Sequence, residues 1–93
     1  MRRIERTGQF KRDYKREARG PHRATLETDF VEIVNALAND RPLADRHRDH
    51  PLGGDWKDHR DCHLRPDLVM IYRKPDLQRL QLVRLGSHSE LGL

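Results

Sequence analysis

The chain has one cysteine, Cys62, so it can form no internal disulfide and offers no thiolate framework for a metal. Apolar material is also scarce: 34% of the 93 residues are hydrophobic, against 37% charged. Any core must therefore come from two or three element faces, and the length leaves room for one domain, residues 1–93. No apolar run is long enough to cross a bilayer, and Met1-Arg2-Arg3 does not lead into the apolar stretch of a signal peptide. A membrane role is not expected, and the expected compartment is the cytoplasm. Ser87, beside His88, lacks the strained elbow of a hydrolase nucleophile. There is no internal repeat and no low-complexity tract.

What is present is charge, unevenly placed. The formal net charge is +4, and residues 1–20 alone carry eight Lys/Arg against three Asp/Glu. Residues 21–40 are acidic, residues 41–67 balance, and the remainder is mildly basic. A clustered basic excess fits a polyanionic partner, whereas an even one would indicate only solubility.

Periodicity then orders the chain. Arg2–Thr7 reads as a short strand, with Thr7 as N-cap of a helix over Gln9–Arg19 whose apolar positions are Phe10, Tyr14 and Ala18. Gly20-Pro21 breaks it. Leu26, Phe30, Ile33, Val34 and Leu37 mark a second helix that ends at Asn39-Asp40-Arg41-Pro42. The polar segment 41–55 reads as a loop. Three strands follow, Trp56–Leu64, Leu68–Arg73 and Leu77–Leu85, linked at Arg65-Pro66-Asp67 and Lys74-Pro75-Asp76. The expected fold is α+β, in the order β-α-α-β-β-β, with a two-helix hairpin on one face of a small, mainly antiparallel sheet.

The residues able to do chemistry concentrate between Asp49 and Asp67, with His88 after the last strand. Strand alternation puts His59, Asp61 and His63 on one face and turns Cys62 and Leu64 towards the helices. Adjacent Cys62 and His63 thus cannot form a nucleophile pair, and Cys62 reads as a small buried residue. A zinc site from His47, His50, His59 and His63 lacks dense ligand spacing. Imidazoles near carboxylates and arginines suit proton transfer on RNA. The rival reading is an RNA-binding surface without chemistry. The blandest reading, histidines decorating a polar surface, is weakened by six of them grouped with Asp and Arg.

Several runs together resemble the YafQ branch of the RelE-like bacterial toxins. They are Thr7-Gly8-Gln9-Phe10-Lys11-Arg12-Asp13, Asp49-His50-Pro51-Leu52-x-Gly54-x-Trp56-Lys57, Arg60-Asp61-x-His63-x-x-Pro66-Asp67, Ile71-Tyr72 and Arg84-x-Gly86-x-His88. The resemblance spans nearly the whole chain. It implies a ribosome-dependent endoribonuclease that cuts messenger RNA in the decoding site without a metal or other cofactor. By position, it implies a catalytic set of His50, His63, Asp67 and His88, supported by Asp61. On that basis His50 is expected as general base, His88 as general acid, and Arg84 or Arg65, with His63, as phosphate ligands. Lys11, Arg12, Lys15, Arg16 and Arg19 would dock on ribosomal RNA, and a cognate antitoxin would be the protein partner. The alternative is an inert module that binds RNA or the ribosome and serves mainly the toxin–antitoxin complex. The chain departs from the family at Leu68 and Gly92, where aromatic residues that could stack on a base are absent.

Overall fold

The computed structural model describes all of residues 1–93. Strand β1 (Arg3–Arg6) leads into helix α1 (Gly8–Glu17) and helix α2 (Leu26–Ala38). Then come β2 (His50–Pro51), β3 (Arg60–Arg65), β4 (Leu68–Asp76), β5 (Arg79–Gly86) and a final short helix, α3 (His88–Leu91). The five strands lie in the order β1-β5-β4-β3-β2. β1 runs parallel to β5, and the other neighbours are antiparallel.

The two long helices lie on one face, as their periodicity predicts. Phe10, Leu26, Ile33, Val34 and Leu37 pack on Cys62, Leu64, Met70, Tyr72, Leu80 and Leu82. Phe10, Tyr14 and Phe30 meet as a ring cluster, with Tyr14 and Phe30 edge to face at 5.1 Å between centroids. Thr7 caps α1 as expected, its hydroxyl accepting from the Phe10 N–H at 3.0 Å. Cys62 is fully buried among apolar neighbours, and that burial pushes its thiol up.

Four boundaries differ from expectation. β3 starts at Arg60 rather than Trp56, because Gly54–Trp56 forms a single 3₁₀ turn and Asp58 turns the chain with φ of 67°. β4 runs on through Pro75, which a register irregularity between Arg73 and Asp76 accommodates. The link to β5 is therefore not Lys74-Pro75-Asp76. It is the following turn, closed by the Asp76 side chain accepting from the Gln78 N–H at 2.8 Å. The loop 41–55 contains β2, too short to show a period. Finally, α3 follows β5 and helps cover the second face, where Val69, Ile71 and Leu91 form a smaller core with Leu52, Trp56 and Val83. Burial on both faces explains the unbroken apolar run Leu68–Tyr72 in β4.

α1 does more than cover the sheet. β1 ends opposite Leu82, leaving the rest of the β5 edge without a strand. Side chains of α1 and its cap replace that strand. Thr7 donates its hydroxyl to the Val83 carbonyl (2.8 Å), Asp13 accepts from the Leu85 N–H (3.0 Å), and Arg16 donates to the Leu85 carbonyl (2.8 Å). Asp13 is 0% exposed and also accepts from Arg84 (2.8 Å) and Gln9 (3.0 Å). Burial alone would raise its carboxyl, but bonds from Arg84, the Leu85 N–H and Gln9 outweigh it and hold the group below the usual carboxylate range.

Removing one partner of such a buried pair leaves the other desolvated and unpaired. Asp13→Ala is expected to cost about 3–5 kcal/mol of stability in urea unfolding. Because the folded value is depressed, the Asp13 contribution is complete above the unfolded pKa of roughly 3.9 and fades as pH falls through the folded one. The wild-type advantage over Asp13→Ala should therefore shrink in acid; a gap independent of pH would contradict the assignment.

Candidate active site

The loop before β3 wraps around the β2 edge of the sheet. Leu43 packs on the helix-side core, while Leu52 and Trp56 pack on the other face. Between them the loop is pinned to the strands. Tyr72, buried in β4, must find a partner for its hydroxyl, and it donates to Asp49 at 2.5 Å. Arg60 donates to the same carboxylate at 3.2 Å. His47 Nδ1 lies 2.7 Å from the His63 carbonyl, so that nitrogen carries a proton and donates. These anchors set the strand pairing of His50 opposite Asp61.

His50, Asp61, His63 and His88 come together on this second face. Cys62 and Leu64 enter the helix-side core, which turns Asp61 and His63 outward from it, as alternation predicts. His50 Nδ1 lies 2.6 Å from the Arg48 carbonyl and 3.0 Å from Asp61 Oδ1. A carbonyl can only accept, so Nδ1 carries the proton and a neutral His50 leaves its Nε2 lone pair free. With that N–H directed at the carbonyl, Asp61 Oδ1 is at ion-pair distance but without a hydrogen bond. His63 and His88 stand edge to face with centroids 5.0 Å apart. Asp61 is 2% exposed and His63 is 8% exposed, whereas His50 and His88 face solvent.

His88 arrives by a different route. The register pairs His63 with Val69 and Val69 with Gly86, so the end of β5 stands two strands from His63. Ser87 and Glu90 then form a reciprocal capping box, at 3.2 and 3.1 Å, that starts α3 with His88 as its first residue. Leu91 anchors the helix in the second core, and Gly92 ends it in the left-handed region at φ of 71°. Arg16 reaches Glu90 at 3.4 Å, and a side chain at Gly86 would meet the Arg16 guanidinium at 2.9 Å.

Other expected residues lie elsewhere. Asp67 is 74% exposed at its side chain and pairs with His22 Nε2 at 2.8 Å, in the connection between α1 and α2, rather than with the imidazoles. Arg84 is held by Asp13, and Arg65 by Asp29 at 2.7 Å. His59 sits before β3, with its ring against Trp56 and its Nδ1 on the Lys57 carbonyl. On α1, Lys11, Arg12, Lys15 and Arg19 are exposed, but Arg16 is bound to Asp13, Glu17 and Glu90. No group of three or more His, Cys, Asp or Glu side chains is arranged to hold a metal ion. Asp49 and Tyr72 fall within the family-like runs, but their pairing, the His47 anchor and a cleft of about 330 Å³ bordered by Asp29, Glu32, His47 and Arg65 carry no local signal in the sequence. The Ser87-x-x-Glu90 box followed by Gly92 does, and it marks α3.

Burial pushes Asp61 up, against the pull of His50, His63 and His88. Burial also pushes His63 down; Asp61 opposes that, and His88 and Arg48 reinforce it. His63 should thus be largely neutral at pH 7. In ring-proton NMR its midpoint is expected below the ordinary value near 6.5. Asp61→Asn should move it lower still, because the charge that favours protonation is gone; an upward move would contradict this geometry.

The chain is similar to known proteins over nearly its whole length. Residues 2–92 match the family described as the bacterial toxin of type II toxin–antitoxin systems, YafQ. The Escherichia coli K12 protein named mRNA interferase toxin YafQ is 36% identical over 88 residues, covering 95% of this chain and 92% of that one. The crystal structure of YafQ from E. coli BL21(DE3) superposes with a TM-score of 0.81 at 35% identity, over 98% of each chain. In a crystal structure of the E. coli DinJ–YafQ toxin–antitoxin complex, the matching chain scores 0.79 at 36% identity, over 97% of this chain and 96% of that one. A metal-bound toxin from Helicobacter pylori scores 0.82 at 41% identity, over 98% and 99%. With a match that runs almost from end to end and a fold shared with solved relatives, the chain belongs to the YafQ family of type II toxin–antitoxin toxins.

Proposed function

We propose that this protein is an endoribonuclease that cuts messenger RNA in the ribosomal decoding site and is neutralised by a cognate antitoxin in the cytoplasm. The observation that carries the reading is the meeting of His50, Asp61, His63 and His88, drawn from β2, β3 and α3, on one face of the sheet. It is supported by the relatives, one named as an mRNA interferase and one crystallised with the antitoxin DinJ.

RNA supplies its own nucleophile. The 2′-oxygen forms a bond to the neighbouring phosphorus as the bond to the 5′-oxygen breaks, leaving a 2′,3′-cyclic phosphate and a 5′-hydroxyl. His50 Nε2 takes the 2′-hydroxyl proton, since its Nδ1 proton is held by the Arg48 carbonyl. A protonated His88, exposed at the start of α3, gives its proton to the departing 5′-oxygen. Neutral His63 donates an N–H to the phosphate, and the Asp61 carboxylate favours imidazolium formation beside it. Asp67 belongs to the set by family position, and its participation requires the pair with His22 to open when RNA binds. Leu68 is buried in the helix-side core and Gly92 ends α3, so neither offers stacking surface to a base.

His50→Ala or His88→Ala should slow messenger cleavage by roughly 10²–10⁴-fold while ribosome association persists. Equal cleavage by wild type and both variants would remove His50 and His88 from the catalytic set, whereas a wild type that leaves messenger intact would favour a module that binds without cutting. Exposed Lys11, Arg12, Lys15 and Arg19 suit ribosomal RNA, whereas Arg16 is bound within the fold. Reversing Lys11 and Lys15 to Glu should weaken ribosome binding and flatten its salt dependence by roughly one unit of slope per lost phosphate contact. An unchanged slope would remove α1 from the docking surface.

A further inference from the structure

The site described above lacks a free cation at the point where negative charge develops. The cleavage transition state places extra charge on the nonbridging phosphate oxygens, and the groups already assigned there are a buried carboxylate and a largely neutral imidazole. The arginines that the sequence suggested are engaged, Arg84 with Asp13 and Arg65 with Asp29. Arg48 is not. Its side chain is exposed, with neither a carboxylate nor a hydrogen-bonding partner.

Its position is specific. Arg48 precedes His50 by two residues and directly follows His47, whose ring is anchored on the His63 carbonyl at 2.7 Å. Its carbonyl holds His50 Nδ1, so the backbone that orients the general base also carries this guanidinium. The backbone conformation adds a second observation. Arg48 has φ of 47° and ψ of 42°, a left-handed conformation that costs a β-carbon-bearing residue free energy and that Gly or Asn adopts readily. The other non-glycine residues with positive φ are Asp40 and Asp58, a type that tolerates it. A long cationic side chain at such a turn serves no backbone purpose, which fits a residue selected for its head group.

We propose that Arg48 is a phosphate-binding residue of the cleavage site, its guanidinium contacting the nonbridging oxygens of the scissile phosphate beside His63. This rests on the nuclease reading and adds to it the group that neutralises the transition-state charge. Arginine suits the task because its planar fork can meet two oxygens together.

The substitution that separates charge from backbone is Arg48→Gly, which relieves the left-handed strain while removing the cation. It should melt no lower than wild type yet cut ribosome-bound messenger roughly 10²–10³-fold more slowly, the loss seen when one oxyanion donor is removed. Arg48→Lys, keeping a point charge without the fork, should recover part of the rate. Cleavage by Arg48→Gly at the wild-type rate would overturn the proposal. Two readouts need no cleavage. The His63 ring is faced by Asp61 from β3, His88 from α3 and Arg48 from the loop. Arg48→Gly should raise its NMR midpoint, because a charge opposing protonation has gone. Inorganic phosphate, titrated as a probe, should shift the His63 and His88 ring signals in wild type and much less in the variant. A wild type that cuts nothing would overturn the nuclease reading, while indifference of both imidazoles to phosphate and to Arg48→Gly would overturn the role of Arg48 alone.

Discussion

The Asp13 carboxylate, bonded at once to Arg84, Gln9 and the Leu85 N–H, ties α1 to the stretch of the β5 edge that β1 leaves open. Taking that charge out of water costs several kcal/mol, and charge-assisted hydrogen bonds of about 1.5–3 kcal/mol each offset it. The net gain is modest, but the loss on removing one member is large. From Asp13 the constraint passes through Arg16 to the Leu85 carbonyl and to Glu90, which is half of the box that begins α3. His88 is therefore placed by a line of polar contacts that starts inside α1.

A second line of contacts places His50. Asp49 is fixed by Tyr72 and Arg60, and His47 by the carbonyl of His63, so the loop is bound to both neighbouring strands before it reaches β2. The two lines converge on Asp61 and His63, the buried members of the cluster, while His50 and His88 remain open to solvent. Buried supports thus fix the geometry while the two exposed imidazoles stay open to solvent.

Much of this arrangement is written locally. Spacing by three and four marks both long helices, Thr7 marks a helix start, and alternation correctly turns Cys62 and Leu64 towards them. The block from Asp49 to Asp67, read with Gly86-x-His88, points to the family. Other features depend on partners remote in the chain. Asp13 looks like one more charge on a polar helix until β5 presents an unpaired edge. Arg84 and Arg65 look free until Asp13 and Asp29 are placed beside them, and Asp67 looks like a neighbour of His63 until His22 arrives from the α1–α2 connection. β2 is too short for any period, and Pro75 looks like a hairpin link because irregular strand pairing cannot be read from residue type. The terminal helix is absent from the expected order, although Ser87, Glu90 and Gly92 carry a signal for it, weaker than the strand pattern preceding it.

β1 pairs in parallel with β5, bringing Arg3 beside Arg79. Contacts so distant along the chain close slowly, and none of them exists while the polypeptide is still being extended. His88 follows even the last strand. The imidazole cluster thus cannot assemble until β5 and α3 have both been made. Until the sheet shuts, the toxin's proton carriers stay apart.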